Sequence, residues 1–210
     1  MTWRRQLAPP AIPEPNWTTA TVPAVATEVI VLNGASSSGK TSLARCLLEL
    51  LEEPWITLGV DDLIGALAPS LVGEAPQNEG RPPLLAYGAD GMVQLSPAWR
   101  DVEAAWYAGV VAMARAGLRV ILDEVLLDGG TGQRRVAHYL DGLSLLWVGV
   151  HCDPAIAVQR ERARSDRMDG MATSQASKVH DGVHYDVVVD TTAASSEHCA
   201  RVVIEQICQS

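Results

Sequence analysis

The residues with the clearest chemical meaning form one eight-residue segment, Gly34-Ala35-Ser36-Ser37-Ser38-Gly39-Lys40-Thr41. It matches the phosphate-binding pattern G-x-x-x-x-G-K-[ST] at every fixed position. Small residues let consecutive backbone N–H groups turn toward phosphate oxygens, and the helix that follows adds the positive end of its dipole. Lys40 would reach the β- and γ-phosphates, and the Thr41 hydroxyl would bind Mg²⁺. The segment therefore predicts a site for a nucleoside triphosphate such as ATP.

Two carboxylates stand at strand ends, where parallel sheets bind their ligands. Asp123 closes the apolar strand predicted over 119–123, a position at which a carboxylate holds Mg²⁺ directly or through water. Glu124 beside it fits either a role in the site or a solvated turn. Asp61 follows the preceding strand and fits two roles: the base that accepts a proton from a hydroxyl acceptor, or a helix N-cap, which Asp62 would serve equally well.

Basic residues are scarce in this chain, and a group of them follows the fourth predicted strand: Arg160, Arg162, Arg164 and Arg167. Arg160, Arg164 and Arg167 are spaced three or four apart and can share one helix face, whereas Arg162 points elsewhere. Planar guanidinium groups donate two hydrogen bonds at once to phosphate oxygens. The pattern favours an anion-binding role over a solvated helix face paired with neighbouring carboxylates.

Composition excludes several other classes of protein. The formal net charge of −9 argues against nucleic acid or an anionic membrane as the main partner. No apolar run reaches about eighteen residues, so no transmembrane helix is expected. Five prolines in 1–27 predict a flexible extension and leave no apolar stretch for a signal peptide, which favours a cytoplasmic protein.

The four cysteines are expected to be packing residues, and His180 and His184 to be surface or loop residues without a metal.

The elements that must position these residues alternate along the chain. Apolar runs predict strands over 29–32, 55–60, 119–123, 145–150 and 185–189, and amphipathic segments predict helices over 41–51, 97–116 and 195–208. Ser96 is the expected N-cap of the middle helix, with Pro97 at its first position. The prediction is an α/β fold with a parallel five-stranded sheet flanked by helices, over 28–210. Residues 65–96 show no strong period and are predicted to be a lid or acceptor-binding insertion.

Several runs resemble the chloramphenicol phosphotransferase family: LNGASSSGKT at 32–41, EPW at 53–55, GVDDLI at 59–64, AGVVAMARAG at 108–117, LWVGVHCD at 146–153, GMA at 170–172 and YDVVVDTT at 185–192. The resemblance covers roughly residues 28–192 and extends well beyond the phosphate-binding loop. It implies a small-molecule kinase fold of the adenylate- and shikimate-kinase type. It also implies that Asp61 is the catalytic base and that Arg160, Arg164 and Arg167 lie near the nucleotide phosphates.

The predicted function is therefore ATP-dependent phosphorylation of a hydroxyl on a small molecule. The resemblance implies that this molecule is an antibiotic and that phosphorylation inactivates it, which would give self-resistance. Two alternatives stay open: a metabolic small-molecule kinase on the same scaffold, and an ATP-driven switch or transport subunit. Against the last, the chain contains no LSGGQ-like signature and no Asn-Lys-x-Asp motif.

Overall fold

The chain alternates between strands and helices in the computed structural model, which describes residues 27–73, 83–88, 92–163, 170–176 and 178–209. The strands within these ranges are β1 (Val29–Asn33), β2 (Trp55–Gly59), β3 (Leu85–Tyr87), β4 (Val93–Leu95), β5 (Arg119–Glu124), β6 (Leu145–His151) and β7 (Val187–Asp190). The helices are α1 (Lys40–Leu50), α2 (Val60–Gly65), α3 (Trp99–Arg115), α4 (Gly130–Tyr139), α5 (Pro154–Arg162), α6 (Met171–Ala176) and α7 (Ser196–Gln209). The predicted flexible extension falls outside the described residues up to position 26.

Five strands form one parallel sheet in the order β2-β5-β1-β6-β7. The central strand, β1, is buried along its whole length, which explains its uninterrupted apolar sequence. The predicted α/β fold is confirmed, with shifts of one or two residues at strand ends. Strand β2 ends at Gly59 rather than 60, because α2 already begins at Val60.

The two faces of the sheet are covered by different helices. Alternate residues of a strand point to opposite faces. Ile30 and Leu32 of β1 accordingly belong to one apolar cluster with residues of α1 and α7. Val29 and Val31 belong to a second cluster with residues of α3 and α4. The sheet thus lies between two helical layers, and this packing holds the strands whose carboxyl ends meet at one edge.

The segment 65–96 contains structure that the sequence did not reveal. A 3₁₀ turn at Pro69–Leu71 follows α2, and β3 and β4 pair as a separate antiparallel hairpin. A third apolar cluster joins this hairpin to α2 and α3, and its buried residues are Leu63, Leu84, Leu85 and Trp99. None of the described helices has both the length and the hydropathy that a membrane span requires.

The predicted N-cap of the middle helix is wrong. Helix α3 begins at Trp99, and its N-cap is Ala98. Ser96 instead donates its backbone N–H to the carbonyl of Leu84 at 2.9 Å, which ties it to the hairpin. Its own carbonyl accepts from the Trp99 N–H at 3.0 Å, so Ser96 lies in the turn that precedes the helix.

Candidate active site

The phosphate-binding segment forms a tight loop between β1 and α1. Ser37 and Gly39 adopt left-handed backbone conformations, with φ of 60° and 94°, and glycine meets the second at no steric cost. Helix α1 starts directly after Gly39, so its first amide groups border the loop. Three hydroxyl oxygens in the loop are buried without a hydrogen-bond partner among the described residues: those of Ser36, Ser37 and Ser38. Because buried polar atoms are almost always hydrogen bonded, these orphans fit a loop that binds a polar ligand such as phosphate.

Thr41 and Asp123 lie together at the mouth of this loop. The Thr41 hydroxyl donates to Asp123 Oδ2 at 2.7 Å. Lys40 Nζ lies 3.7 Å from Asp123 Oδ1 and donates to the Ala35 carbonyl at 3.0 Å. Oxygen ligands of this kind, completed by substrate phosphates, are those that Mg²⁺ takes in phosphoryl-transfer sites. The sequence-predicted magnesium pair is therefore in contact.

Asp61 lies in the first turn of α2. The predicted N-cap role is wrong for both Asp61 and Asp62, because the N-cap of α2 is Gly59; Asp62, at the third helical position, accepts from the Gly59 N–H through Oδ2 at 2.8 Å. Asp61 lines the cleft instead. Gly59 pairs in register with Asp123, and a Cβ on Gly59 would lie 2.7 Å from the Asp123 carbonyl oxygen. Glycine thus permits the close approach that brings the start of α2 beside the magnesium pair.

Arg160 contacts the loop indirectly through Thr191. Its Nη2 donates to the Thr191 carbonyl at 2.7 Å, and Nη1 lies 3.3 Å from the Thr191 hydroxyl. That hydroxyl donates to the Ser38 carbonyl at 2.5 Å. Arg160 lines the cleft, and through Thr191 it is linked to Ser38, near the end of the phosphate-binding loop. Arg164 and Arg167, its predicted companions, lie outside the described residues.

Glu124 is a buried group rather than a solvated turn residue. Its side chain is 5% exposed, and burial raises its pKa to about 8, with the carboxylate of Asp123 adding to the rise. The Tyr107 hydroxyl is hydrogen bonded to it, and burial also holds the pKa of that phenol well above its usual range. The other oxygen, Oε1, has no partner among the described residues. A neutral carboxyl at pH 7 follows from these contacts.

A group of charged side chains that joins α3 to α4 was not predicted from the sequence, and its members are Arg100, Glu103, Asp128 and Arg135. Glu103 Oε2 accepts from Arg100 Nη1 at 2.9 Å and from Arg135 Nε at 3.0 Å. Both arginines also reach Asp128 Oδ2, at 3.3 and 3.2 Å. One signal was present: Glu103 lies four residues from both Trp99 and Tyr107 on the buried face of α3, where an acid needs a partner.

These groups surround one cleft of about 390 Å³. An apolar part of its lining belongs to the third apolar cluster and comes from α2, the hairpin and α3: Val60, Leu63, Ile64, Leu85, Tyr87, Val93, Leu95, Trp99 and Trp106. The phosphate-binding loop, the Thr41–Asp123 pair and Asp61 line the same cleft. A concave, mostly apolar site with a few convergent polar groups is typical of small-molecule binding.

The two histidines singled out from sequence have different environments. His180 stacks on His151, with ring centroids 3.9 Å apart, and its Nδ1 lies 2.7 Å from the Tyr185 hydroxyl. Burial, with the nearby His151 adding to the effect, lowers the pKa of His180 to about 4, so the ring is neutral at pH 7. His184 is exposed. His180 is therefore a packed loop residue. It shares the Tyr185 hydroxyl with Asn33, whose Nδ2 donates to that hydroxyl at 2.6 Å.

The parallel sheet, its phosphate-binding loop and the Thr41–Asp123 contact define the class of P-loop kinases. Solved structures with this architecture include a sugar kinase from Janibacter sp. HTCC2649, with a TM-score of 0.62 at 16% identity over 87% of this chain and 95% of that chain. Another is the APS kinase of Mycobacterium tuberculosis in complex with AMPPNP and APS, with a TM-score of 0.59 at 18% identity over 89% of this chain and 99% of that chain. At these identities the likeness establishes the fold.

The chain belongs to the chloramphenicol phosphotransferase-like protein family, whose model matches residues 27–208. A relative from Mycobacterium tuberculosis, named "Putative O-phosphotransferase Rv2636", is 32% identical over 184 residues, which cover 83% of this chain and 79% of the relative. These matches confirm the resemblance predicted from the sequence. They support a phosphotransferase that binds a nucleotide and acts on a small molecule.

Proposed function

We propose that this protein transfers the γ-phosphoryl group of ATP to a hydroxyl of a neutral, largely apolar small molecule. The acceptor class we favour is a hydroxyl-bearing antibiotic of the chloramphenicol type, which phosphorylation would inactivate. One observation carries this proposal: a single cleft is lined both by apolar residues of α2, the hairpin and α3 and by Asp61 and the phosphate-binding loop. An acceptor held by its apolar body would present a hydroxyl to the carboxylate and the terminal phosphate.

The nucleotide would occupy the loop Gly34–Thr41. The orphan serine hydroxyls and the first amides of α1 supply donors to its phosphate oxygens. Thr41 and Asp123 would hold Mg²⁺, which neutralises charge on the β- and γ-phosphates when bound. Lys40 and Arg160 would stabilise the charge on the transferring group.

Asp61 would act as the general base. As the acceptor oxygen forms its bond to the γ-phosphorus, Asp61 accepts the hydroxyl proton. The bond from that phosphorus to the bridging oxygen breaks, and ADP leaves with the electron pair. Because the chain's residues form no covalent intermediate in this scheme, catalysis comes from positioning and electrostatics.

The charges around the acceptor side favour a neutral acceptor over a sugar acid. Asp61, Glu103 and Asp128 line the cleft, and Arg135 is already bonded to two of these three carboxylates. A carboxylate on the acceptor would lie near these three acidic side chains. Arg135, which lines the cleft beside them, already pairs with Glu103 and Asp128. The aromatic side chains of Tyr87, Trp99 and Trp106 instead suit an aromatic or aliphatic body.

The test is an acceptor screen with a product readout. The purified protein is incubated with ATP, Mg²⁺ and two panels, one of hydroxylated antibiotics including chloramphenicol and one of sugars, sugar acids and nucleosides. Mass spectrometry should find an added phosphoryl group on a member of the antibiotic panel. A Lys40→Met variant serves as the inactive control. Phosphorylation confined to the metabolite panel would establish a metabolic kinase instead, and rapid ADP release without any phosphorylated product would establish an ATPase.

The biological part of the proposal has its own test. Cells that express the protein should survive a concentration of the modified antibiotic that kills cells expressing Lys40→Met. Equal survival of the two strains would contradict a role in resistance even if the purified enzyme modifies the compound.

A further inference from the structure

Helix α6 holds a buried amide against the phosphate-binding loop. Gln175 is 4% exposed, and its Oε1 accepts from the Ser36 N–H at 2.7 Å. Only the oxygen of a side-chain amide can accept from an N–H group. The bond therefore fixes the orientation of the amide: the terminal atom that accepts from Ser36 is Oε1, and the other terminal atom is Nε2.

The nitrogen of this amide has donor capacity that the described residues do not use. Gln175 makes one hydrogen bond within the described ranges, through Oε1, and Nε2 donates none there. The side chain lines the same cleft as Lys40, Asp123 and Arg160. A nearly buried N–H₂ group that faces a cleft needs an acceptor from the molecule that fills the cleft.

The surroundings point to a phosphate oxygen as that acceptor. Ser36 and Ser37 line the same cleft, and their buried hydroxyl oxygens also lack partners among the described residues. Ser36 lies near the start of the loop, whereas the β-phosphate is bound by the later amides that lead into α1. A donor on a side chain bonded directly to the Ser36 N–H is therefore placed for the terminal phosphate.

We propose that Gln175 binds the γ-phosphoryl group of ATP, with Nε2 donating to a γ-phosphate oxygen while Oε1 keeps the Ser36 amide in place. This assigns a phosphate ligand to α6, a helix that lies outside the phosphate-binding sequence pattern. The inference rests on the proposed use of ATP, and it is independent of the identity of the acceptor. A neutral donor at this point would hold the phosphoryl group without forming an ion pair that must be broken during transfer.

The test compares nucleotides that differ in the γ-phosphate. Gln175→Glu keeps an oxygen for the Ser36 N–H, removes both Nε2 donors and adds negative charge beside the γ-phosphate. Calorimetric titration with Mg²⁺ should show ADP affinity within about twofold of the unsubstituted protein, and AMPPNP affinity weakened roughly 10- to 100-fold. Gln209→Glu makes the same chemical change at an exposed position at the end of α7 and should alter neither affinity.

Two results would overturn the inference. Unchanged affinity for both nucleotides would show that Gln175 does not contact the γ-phosphate. Equal weakening for both would show that Gln175 only holds the loop in shape. Should the substituted chain fail to fold, the side-chain amide signals of Gln175 in the unsubstituted protein give the answer by NMR: they should shift with AMPPNP and not with ADP, and identical shifts would refute the contact. If the unsubstituted protein binds neither nucleotide, the proposed function itself fails.

Discussion

Replacing Glu124 by glutamine should make the protein's stability less dependent on pH. Burial raises the pKa of this carboxyl from 4.5 to about 8, so the folded chain keeps it protonated where the unfolded chain ionises it. The contribution of Glu124 to stability is fully present below pH 4.5 and is lost as the pH rises toward 8, by about 1.4 kcal/mol per pH unit between these values. Between pH 5 and pH 8 the loss amounts to roughly 3–4 kcal/mol, and a glutamine side chain, which is neutral throughout, would not show it.

The assay is urea denaturation of both proteins at several pH values from 5 to 8, without nucleotide. The difference in unfolding free energy should change by roughly 3–4 kcal/mol in favour of Glu124→Gln across this range. The bond from the Tyr107 hydroxyl has an acceptor in either side chain, so any cost of the new amide shifts the difference by a constant and leaves its slope. Glu205→Gln, on the exposed face of α7, is the matched control. A difference that is equal at pH 5 and pH 8 would refute the reasoning.

Three further outcomes are expected. Asp61→Asn should keep nucleotide affinity and lower turnover at least about a hundredfold, and undiminished turnover would exclude it as the base. Gly34→Ala should lower the melting temperature and weaken ADP binding, because the new Cβ would lie 2.4 Å from the Val150 carbonyl oxygen; Gly109→Ala, with open space around it, is the control, and equal effects would contradict this packing. Trp99→Ala should cost about 3–5 kcal/mol in urea denaturation and raise the KM for the acceptor more than that for ATP, whereas equal changes in both KM values would remove Trp99 from the acceptor wall.

The sheet could be predicted because its signal is local. β1 is buried on both faces, so four consecutive apolar residues precede Asn33 and mark the strand without any knowledge of its neighbours. The loop that follows β1 could be predicted equally well, because phosphate binding constrains residues that are adjacent in sequence. The hairpin was not predicted because β3 and β4 have three residues each, too few to establish an alternating pattern.

Much of the candidate site depends on contacts between distant segments and could not be read from sequence. Glu124 stands beside the predicted magnesium residue, but its hydrogen-bond partner is Tyr107, seventeen residues earlier in the chain. Gln175 sits on a six-residue helix with no diagnostic spacing, and only the fold brings it to Ser36, 139 positions away. The sequence identified Asp61 from its position after a strand. Only the structure shows that Asp62, and not Asp61, accepts the hydrogen bond from the Gly59 N–H.

The third apolar cluster gives the molecule a form of modularity. The hairpin wall packs through Leu63, Leu85 and Trp99, whereas the phosphate-binding loop connects β1 to α1, whose residues belong to the clusters on the two faces of the sheet. Half-buried wall residues such as Tyr87 and Val93 can therefore change while the phosphate-binding loop and the magnesium pair stay in place. A directed-evolution library confined to this wall should yield altered acceptor ranges at nearly constant ATP affinity. Natural substitutions in the same wall would likewise change the acceptor without disturbing the phosphate-binding loop.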